Sequence, residues 1–362
     1  MQVGFNRGVY LPEFDLWLDS LRRRDFGLIS HAHSDHTARH SRPVLTRNTG
    51  LLLSAYLEKS SPVYLDYHEP LETNDYILTL YPAGHCLGSA QALVESKFTG
   101  VKLLYTGDIK VSSSPTNEPL EPVACDVLVM ESTYGKPEYI FPPQEQVLAN
   151  AFHILRSWIS KGSKPVIQLW RLGKAQELLH LLLGEGFDVA VEESVYRIAR
   201  IYEEAGVIFP GRHIVAKTGT FYGTSNGTRD GTRDGTTDGT TNGTFRCFDG
   251  SWPEGQVLIC PPGRKSQQGL DGIRGLRFME LTGWAASGGQ PWGRRADTSL
   301  PFSDHADFNE LVEYVGMVKP KQVYTVNGFP ELAAHLRSKG YPAVHLNAKG
   351  RIVDAGFQMK ML

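Results

Sequence analysis

Four potential metal ligands stand close together in the segment LISHAHSDH, which spans residues 28–36. The apolar run before them predicts a β-strand. In an extended backbone, residues two apart point to the same face, so His31 and His33 can hold one ion. Asp35 and His36, just past a turn, then face a neighbouring ion. The spacing therefore predicts a site for two metals, with zinc favoured by these ligands and manganese or iron as alternatives.

Two later residues complete this candidate ligand set. His85 in PAGHCLGSA and Asp108 in LLYTGDIK each follow an apolar run and stand beside glycine, which allows close backbone approach. An aspartate can bridge ions about 3.5 to 4 Å apart, the separation found in two-metal hydrolases. We expect Asp108 to be the bridge. The other histidines considered lack such a context and are expected to pack without a metal: His40, His68, His153, His180 and His213.

The composition indicates a globular protein with no membrane partner. Of its 362 residues 41% are hydrophobic and 21% charged, and no apolar run approaches the length of a membrane span. Polar residues interrupt the N-terminal stretch that a secretory signal would need, so a cytoplasmic location is expected. The net charge of −2 argues against a protein that coats nucleic acid through its overall electrostatic field. It leaves a local basic groove open. The four cysteines lack CxxC spacing, so neither a disulfide framework nor a zinc ribbon is expected.

The chain changes pattern near residue 135. Before it, short apolar runs end in polar or acidic residues, which predicts strands that deliver side chains into one cleft. After it, an amphipathic helix is predicted from about Pro143, followed by alternating strands and helices, the order of an α/β domain. A strand, a helix and a further strand are predicted again after residue 321.

A glycine repeat occupies residues 219–243, with glycine at about every fourth position. A flexible insertion is favoured for this low-complexity segment. Successive turns, or calcium bound through Asp230, Asp234 and Asp238, are the alternatives, but the nonapeptide spacing of calcium β-rolls is absent.

Several motifs resemble those of a known fold family. HAHSDH, PAGHCLGSA and YTGDIK are similar to signature motifs of the metallo-β-lactamase fold, and ESTYG, LGKAQELL, CPPG and PFSDHADF resemble those of the β-CASP nucleases. The resemblance covers nearly the whole chain except the glycine repeat. It implies an α/β fold, an αββα sandwich formed by residues 1–142 and 283–362, with a β-CASP α/β domain inserted at 143–282.

The combination TGWAAS and SLPFSDHADF narrows the resemblance further. It is most similar to bacterial ligase-associated DNA exonucleases, also described as mRNA 3′-end-processing-like exonucleases. This implies a metal-dependent DNA exonuclease of DNA repair that uses metal-activated water. Nucleic acid is then the partner, with DNA favoured over RNA, and a DNA ligase or other repair proteins are candidate protein partners.

The resemblance also assigns roles to residues. Asp19 supports the metal site, His305 contacts the scissile phosphate and protonates the leaving group, and Glu131 pairs with His305. Asp35 is assigned two roles, as a metal ligand and as an acceptor of a proton during hydrolysis. Substrate is expected between the two domains, and the residues predicted to contact its phosphates are Arg171, Lys174, Arg264 and Lys265.

One position departs from the family pattern. Many β-CASP members carry histidine where this chain has Asn327, and an asparagine carbonyl is a weaker zinc ligand than imidazole. The second ion is then expected to bind loosely, to be a harder metal, or to be absent. His345 is a conceivable substitute ligand, although packing in the core is the favoured interpretation.

Three other functions stay open at this point. A ribonuclease that trims or cuts RNA is the nearest rival, and Asn327 mildly favours DNA. A nucleic-acid-binding scaffold without catalysis is disfavoured, because only one ligand position departs from the pattern. A small-molecule hydrolase would leave the inserted domain and the His305 motif without a role.

Overall fold

The computed structural model describes residues 1–213, 243–263, 268–288, 296–346 and 352–353. It divides into two compact units, one formed by Met1–Phe141 with Ser303–Leu362 and the other by Pro142–Phe302. The second unit is thus an insertion in the first. Most of the glycine repeat, residues 219–242, lies outside the described residues.

The described residues form 21 strands and seven α-helices. The strands are β1 Gly4–Phe5, β2 Val9–Leu11, β3 Leu16–Leu18, β4 Phe26–Leu28, β5 Arg42–Leu45, β6 Val63–Tyr64, β7 Pro70–Glu72, β8 Tyr76–Pro82, β9 Ala90–Ser96, β10 Lys102–Tyr105, β11 Val127–Ser132, β12 Lys164–Gln168, β13 Val189–Val191, β14 Arg212–His213, β15 Thr244–Cys247, β16 Val257–Cys260, β17 Leu276–Leu281, β18 Thr298–Leu300, β19 Gln322–Gly328, β20 Ala343–Leu346 and β21 Ile352–Val353. The α-helices are α1 Arg47–Leu52, α2 Ser54–Leu57, α3 Gln144–Ser160, α4 Lys174–Gly184, α5 Glu193–Glu204, α6 Phe308–Val318 and α7 Glu331–Ser338.

The first unit contains two sheets. Strands β1 to β6 form one sheet in sequence order, and the other has the order β21-β20-β19-β11-β10-β9-β8-β7. The main core lies between them, where Leu18 and Leu28 of the first sheet share one buried cluster with Leu80 and Val129 of the second. Burial of each such side chain contributes roughly 1.5 to 3 kcal/mol.

Helices cover the outer faces of both sheets. Phe308 and Leu311 of α6 and Leu332 of α7 pack with the second sheet, while Leu53 and Leu57 pack with residues of the first sheet and the loop after β4. Asp307 caps α6, since its side chain accepts from the Glu310 amide. The first unit is therefore an αββα sandwich, as expected from the sequence.

The second unit is a parallel α/β layer. Its seven-stranded sheet has the order β14-β15-β13-β16-β12-β17-β18, and its registered strand pairs are parallel. The predicted alternation of strand and helix corresponds to β12, α4, β13 and α5. The predicted return to the first unit at residue 283 precedes the observed return at 303. The cause is β18, which pairs with β17 and so continues the sheet of the second unit.

Among the described residues, none of the helices combines the length and apolarity that a membrane crossing requires.

Candidate metal centre

The predicted ligands follow strands that end at one edge of the sandwich. His31 lies just beyond β4, His85 beyond β8 and Asp108 beyond β10. Strands β8 and β10 run in the same direction because each is antiparallel to β9. The carboxyl ends of such strands are where α/β folds place their sites.

The structure brings four of the predicted residues into one cluster. One side-chain ligand atom from each lies within 4.8 Å of the others: His31, His33, His85 and Asp108. Nδ1 of His33 is 3.1 Å from Nε2 of His31 and 3.0 Å from Nε2 of His85. The side chains of His31 and His85 are buried.

Hydrogen bonds fix how the two buried rings present their nitrogens. Nδ1 of His85 donates to the backbone carbonyl of Asp304 at 2.7 Å. Ser30 Oγ donates to Asp19 at 2.5 Å and therefore accepts from Nδ1 of His31 at 2.9 Å. In both rings the Nε2 lone pair therefore faces the cluster. Metal-ligating histidines are oriented in the same way, by a hydrogen bond from the ring nitrogen that does not bind the metal.

The nitrogens of His31, His33 and His85 that face one another carry too few protons for all of them to be hydrogen-bonded to each other. The Nδ1 of His33 can donate to only one of the two Nε2 atoms beside it, so at least one pair of nitrogens meets lone pair to lone pair. Burial lowers the pKa of His31 well below its ordinary value and lowers the pKa of His85 to about 3. Neutral imidazoles with converging lone pairs are the donor set that a divalent cation requires, so the residues present fit such an ion.

Asp108 stands between this cluster and His36. Its Oδ2 lies 3.1 Å from Nε2 of His36, 3.6 Å from Nε2 of His31 and 3.9 Å from Nε2 of His85. The opposite nitrogen of His36 lies 2.8 Å from Oδ2 of Asp19. Burial opposes the charged ring, but the carboxylates of Asp108 and Asp19 raise the pKa of His36 above its ordinary value.

Backbone shape at Gly107 places Asp108 at this point. Gly107 has a φ of +57°, and a Cβ there would lie 2.7 Å from Ser30 Oγ. Both features exclude an ordinary side chain without strain. The glycine beside the predicted ligand is thus needed for close approach of β10's end to the loop after β4.

The second predicted ion position is more open. The Asp35 side chain is 77% exposed, and its Oδ2 lies 4.0 Å from Nε2 of His36. Asp35, Asn327 and His345 line the same cavity of about 350 Å³. His345 is buried and its Nδ1 lies 2.9 Å from Oγ1 of Thr325. His345, expected mainly to pack, therefore also borders the position for which Asn327 was a predicted ligand.

His305 and Glu131 form the pair expected from the sequence motifs. Nδ1 of His305 lies 3.0 and 3.1 Å from the two oxygens of Glu131, and its ring centre is 4.6 Å from that of His85. Glu131 is buried at the end of β11 and also accepts from the Ile109 amide at 2.7 Å. Burial disfavours the charged ring, but the Glu131 carboxylate outweighs this and raises the pKa of His305 to about 9.

Some supporting residues were not identified from the sequence. Ser30 and Tyr105 both donate to Asp19, and the backbone carbonyl of Asp304 orients His85. Because Ser30 directly precedes the predicted ligand His31, its position in the sequence could have indicated a supporting role. Tyr105 and the Asp304 carbonyl lacked a signal, because their contacts depend on the packing of distant segments.

The predicted phosphate contacts belong to the second unit. Arg171 is exposed just before α4, and Lys174 is buried as the first residue of that helix. Arg264 and Lys265 lie outside the described residues.

Comparison with known proteins agrees with the fold and with a zinc-dependent hydrolase. Residues 295–347 match the Zn-dependent metallo-hydrolase RNA specificity domain. A protein named as a probable DNA ligase, from Opitutus terrae, is 34% identical over 94% of this chain and 30% of its own length. Transcription termination factor FttA of Methanocaldococcus jannaschii is 29% identical, over 54% of this chain and 36% of the relative. Endoribonuclease ysh1 of Schizosaccharomyces pombe is 31% identical, over 48% of this chain and 27% of the relative.

This chain spans about a third of the length of these curated relatives. An αββα sandwich with histidines and aspartates gathered at its strand ends is the architecture of a metallo-hydrolase. The fold is that of the metallo-β-lactamases, and the matches support a place within the β-CASP nuclease family.

Proposed function

We propose that this protein is a metal-dependent phosphodiesterase that hydrolyses nucleic acid. The observation that carries the proposal is the convergence of three imidazoles on Asp108, with the His305 and Glu131 pair directly beside them. The donor cluster supplies cation binding, and the adjacent pair supplies a protonated group. Phosphodiester hydrolysis needs both functions at one place.

The ligands divide into two sets in this proposal. His31, His33 and His85 would hold the first ion, and Asp108 would contribute its carboxylate to both ion positions. Asp35 and His36 hold the second ion, with the Asn327 carbonyl as a weak further ligand. The ions are zinc, with manganese as the alternative, and when bound they supply a water of lowered pKa and offset the charge of the phosphate oxygens.

His305 acts as the general acid. The Glu131 carboxylate raises the pKa of His305 to about 9, which favours the protonated form of the ring. Because Nδ1 faces Glu131, the proton on Nε2 is the one presented to a leaving oxygen. Glu131 holds the ring in place and favours its cationic form. Asp35, exposed beside His36, accepts the proton of the attacking water.

A DNA exonuclease acting in repair is the favoured specific activity. Its support is the likeness along 94% of the chain to the relative named as a probable DNA ligase. A DNA ligase and other repair proteins are accordingly the proposed partners. Ribonuclease activity is the second candidate, favoured by the match to the RNA specificity domain and by the relative named as an endoribonuclease.

The second unit is proposed to be the β-CASP domain of the protein. Arg171 and Lys174 are its proposed phosphate contacts in the described part; Arg171 is exposed, and Lys174 is buried as the first residue of α4. Arg264 and Lys265 retain their predicted role from the motif in which they stand.

A comparison of labelled DNA and RNA of identical sequence tests the proposal. Strands labelled at either end are incubated with the protein and added zinc or manganese. We expect cleavage of DNA that is lost in His31→Ala and Asp35→Ala and retained in His153→Ala, an exposed histidine of α3. Activity persisting in the first two variants would refute the two-metal mechanism, and preference for RNA would replace the favoured activity with the second.

A further inference from the structure

Three consecutive residues, Ser303, Asp304 and His305, contact both parts of the candidate centre. They lie between β18 and α6, outside the strands and helices. The carbonyl of Asp304 accepts from Nδ1 of His85 at 2.7 Å, and Nδ1 of His305 lies 3.0 Å from Glu131. A segment without a strand ladder or a helix depends on other hydrogen bonds to keep its backbone in place.

The hydroxyl group of Ser303 supplies one of these hydrogen bonds. Its Oγ accepts from the amide of His305, two residues further on, at 3.0 Å. A serine side chain that bonds the backbone two residues ahead forms a local turn. Ser303 is only 7% exposed, so this hydrogen bond is sheltered from competing water.

The amide of His305 and the carbonyl that orients His85 belong to one peptide group. The peptide between Asp304 and His305 is planar and trans, so its N–H and its C=O point in opposite directions. Ser303 therefore holds one edge of the plane, and His85 holds the other. Because a rotation of the plane disrupts both hydrogen bonds, the Ser303 hydroxyl fixes the direction of the carbonyl that orients His85.

The hydrogen bonds on the two edges also strengthen each other. A peptide group whose N–H is bonded to an acceptor becomes polarised, and its carbonyl then accepts more strongly. Loss of the Ser303 oxygen would leave the His305 amide without this acceptor and would weaken the carbonyl of Asp304. The Nε2 lone pair of His85 faces the donor cluster only while that carbonyl holds the opposite nitrogen.

The next peptide group is held in the same way. The Ala306 amide donates to the carbonyl of Ile109 at 2.7 Å, and the Ile109 amide donates to Glu131 at 2.7 Å. Ile109 directly follows the predicted ligand Asp108. Both peptide groups that flank His305 are therefore hydrogen-bonded to the framework of the centre.

Ring contacts leave the His305 side chain little freedom. Its ring centre lies 4.6 Å from that of His85 and 6.0 Å from that of Tyr134, whose ring is nearly perpendicular to it. Tyr134 is buried, and Glu131 holds Nδ1 of the His305 ring. A ring packed on several sides cannot rotate freely to compensate for a shift of its own backbone. A backbone shift at His305 therefore displaces Nε2, the nitrogen that presents the proton.

We propose that Ser303 is a positioning residue for both the metal ligand His85 and the general acid His305. It acts through the peptide group between Asp304 and His305. The proposal rests on the proposed function and deepens it, because it names the side chain that couples cation binding to proton donation. Removal of the Ser303 oxygen should therefore weaken both properties.

Zinc affinity, measured by competition with a chelator, tests the proposal together with kcat and KM at saturating zinc on whichever labelled strand, DNA or RNA, the wild type cleaves. Ser303→Ala removes the oxygen, Ser303→Cys replaces it with a weak acceptor of similar shape, and Ser303→Thr retains the hydroxyl. The matched control is Ser96→Ala. Ser96 is buried, and its Oγ accepts from the Thr99 amide at 3.3 Å. It ends the seven-residue strand β9, about 20 Å from the end that follows His85.

We expect Ser303→Ala and Ser303→Cys to bind zinc roughly tenfold or more weakly, the effect found for groups that orient ligands. Their kcat should fall by up to about 100-fold with little change in KM, because the general acid is misplaced. Ser303→Thr and Ser96→Ala should retain the wild-type values. Unchanged zinc affinity and kcat in the cysteine variant overturn the proposal even where the alanine variant does not fold. Equal losses in Ser303→Thr or in Ser96→Ala overturn it as well.

A double variant distinguishes action through His305 from general damage. Glu131→Gln already disables the general acid, so the addition of Ser303→Ala should lower kcat hardly further. The zinc affinity of the double variant should still fall as it does in Ser303→Ala. Losses in kcat that multiply in the double variant overturn the proposed role toward His305.

The two proposals fail in different ways. A wild-type protein that binds zinc but cleaves neither DNA nor RNA refutes the proposed function, and the zinc affinities of the Ser303 variants still test the role toward His85. A wild-type protein that cleaves, with Ser303→Ala and Ser303→Cys variants that bind zinc and cleave equally well, refutes the role of Ser303 alone.

Discussion

Oδ2 of Asp19 lies 2.8 Å from Nδ1 of His36, on the side of the ring opposite the nitrogen that faces Asp108. The same carboxylate accepts from the amide and hydroxyl groups of Ser30 and from the hydroxyl group of Tyr105, so with His36 it is held by four donor groups inside the sandwich. Asp19 therefore determines both the orientation and the basicity of His36. This relationship gives a physical role to the acidic residue that sequence comparison placed before the histidine cluster.

The substitution Asp19→Asn is expected to weaken metal binding by about 10- to 100-fold, because residues that orient ligands have effects of this size. The amide removes the charge that supports His36 while asparagine tolerates the positive φ of 50° at this position. Metal affinity measured by competition with a chelator checks the prediction. Asp15→Asn, at an exposed position with φ of 48°, is the matched control, and equal affinities in both variants would contradict the role of Asp19.

The variant Glu131→Gln is expected to retain bound metal and to lose about 100- to 10,000-fold in kcat, the range for general acid catalysis. Without the carboxylate, the charge that keeps His305 protonated is removed. His305→Ala should lose a similar factor, and the double variant should be hardly worse than either single one, since the pair acts as a unit. Glu138→Gln, at an exposed position, serves as the control. Losses that multiply in the double variant would show separate roles.

Gly107→Ala is expected to destabilise the first unit by about 2 kcal/mol or more, through both the positive φ and the collision with Ser30. Gly100→Ala is the matched control, since Gly100 has a similar φ of +68° but open space around its Cβ position. It should cost only about 1 to 2 kcal/mol, from backbone strain alone. Urea unfolding of the two variants measures the difference. Equal losses would mean that the contact with Ser30 is not tight in solution.

The sequence predicted the ligands better than the framework that holds them. His31, His33, His85 and Asp108 were identified because clustered imidazoles and glycine-flanked strand ends are local signals, and the structure gathers these four residues. The contacts of Tyr105 and of the Asp304 carbonyl depend on segments far apart in the chain, which spacing alone does not reveal. The αββα layers were expected from the resemblance of whole motifs rather than from periodicity.

The boundary of the inserted unit shows a similar limit. Its start near residue 142 was visible as a change from strand patterns to an amphipathic helix. Its end was placed at 282, whereas β18 extends the sheet of the second unit to residue 302. A three-residue strand whose pairing partner ends 17 positions earlier in the chain offers little local pattern.

Asn327→His is expected to tighten binding of the second ion, because imidazole is a better zinc ligand than an amide carbonyl. Asn327 is exposed beside the same cavity as Asp35 and His345, and histidine is among the residues that adopt its φ of 54° most readily. Titration with zinc should show a higher affinity for the second equivalent in this variant than in wild type. Asn327→Ala is the control, and it should bind the second ion no more tightly than wild type. An unchanged second affinity in Asn327→His would exclude this position as a ligand site.

The most direct test of the account is anomalous diffraction from crystals of the zinc-loaded protein, collected at the zinc absorption edge. We predict one peak about 2.0 to 2.1 Å from nitrogens of His31, His33 and His85, with Asp108 as a further ligand. A second, weaker peak is predicted between Asp108 and His36. Peaks found only elsewhere, with none among these three histidines, would contradict the central claim.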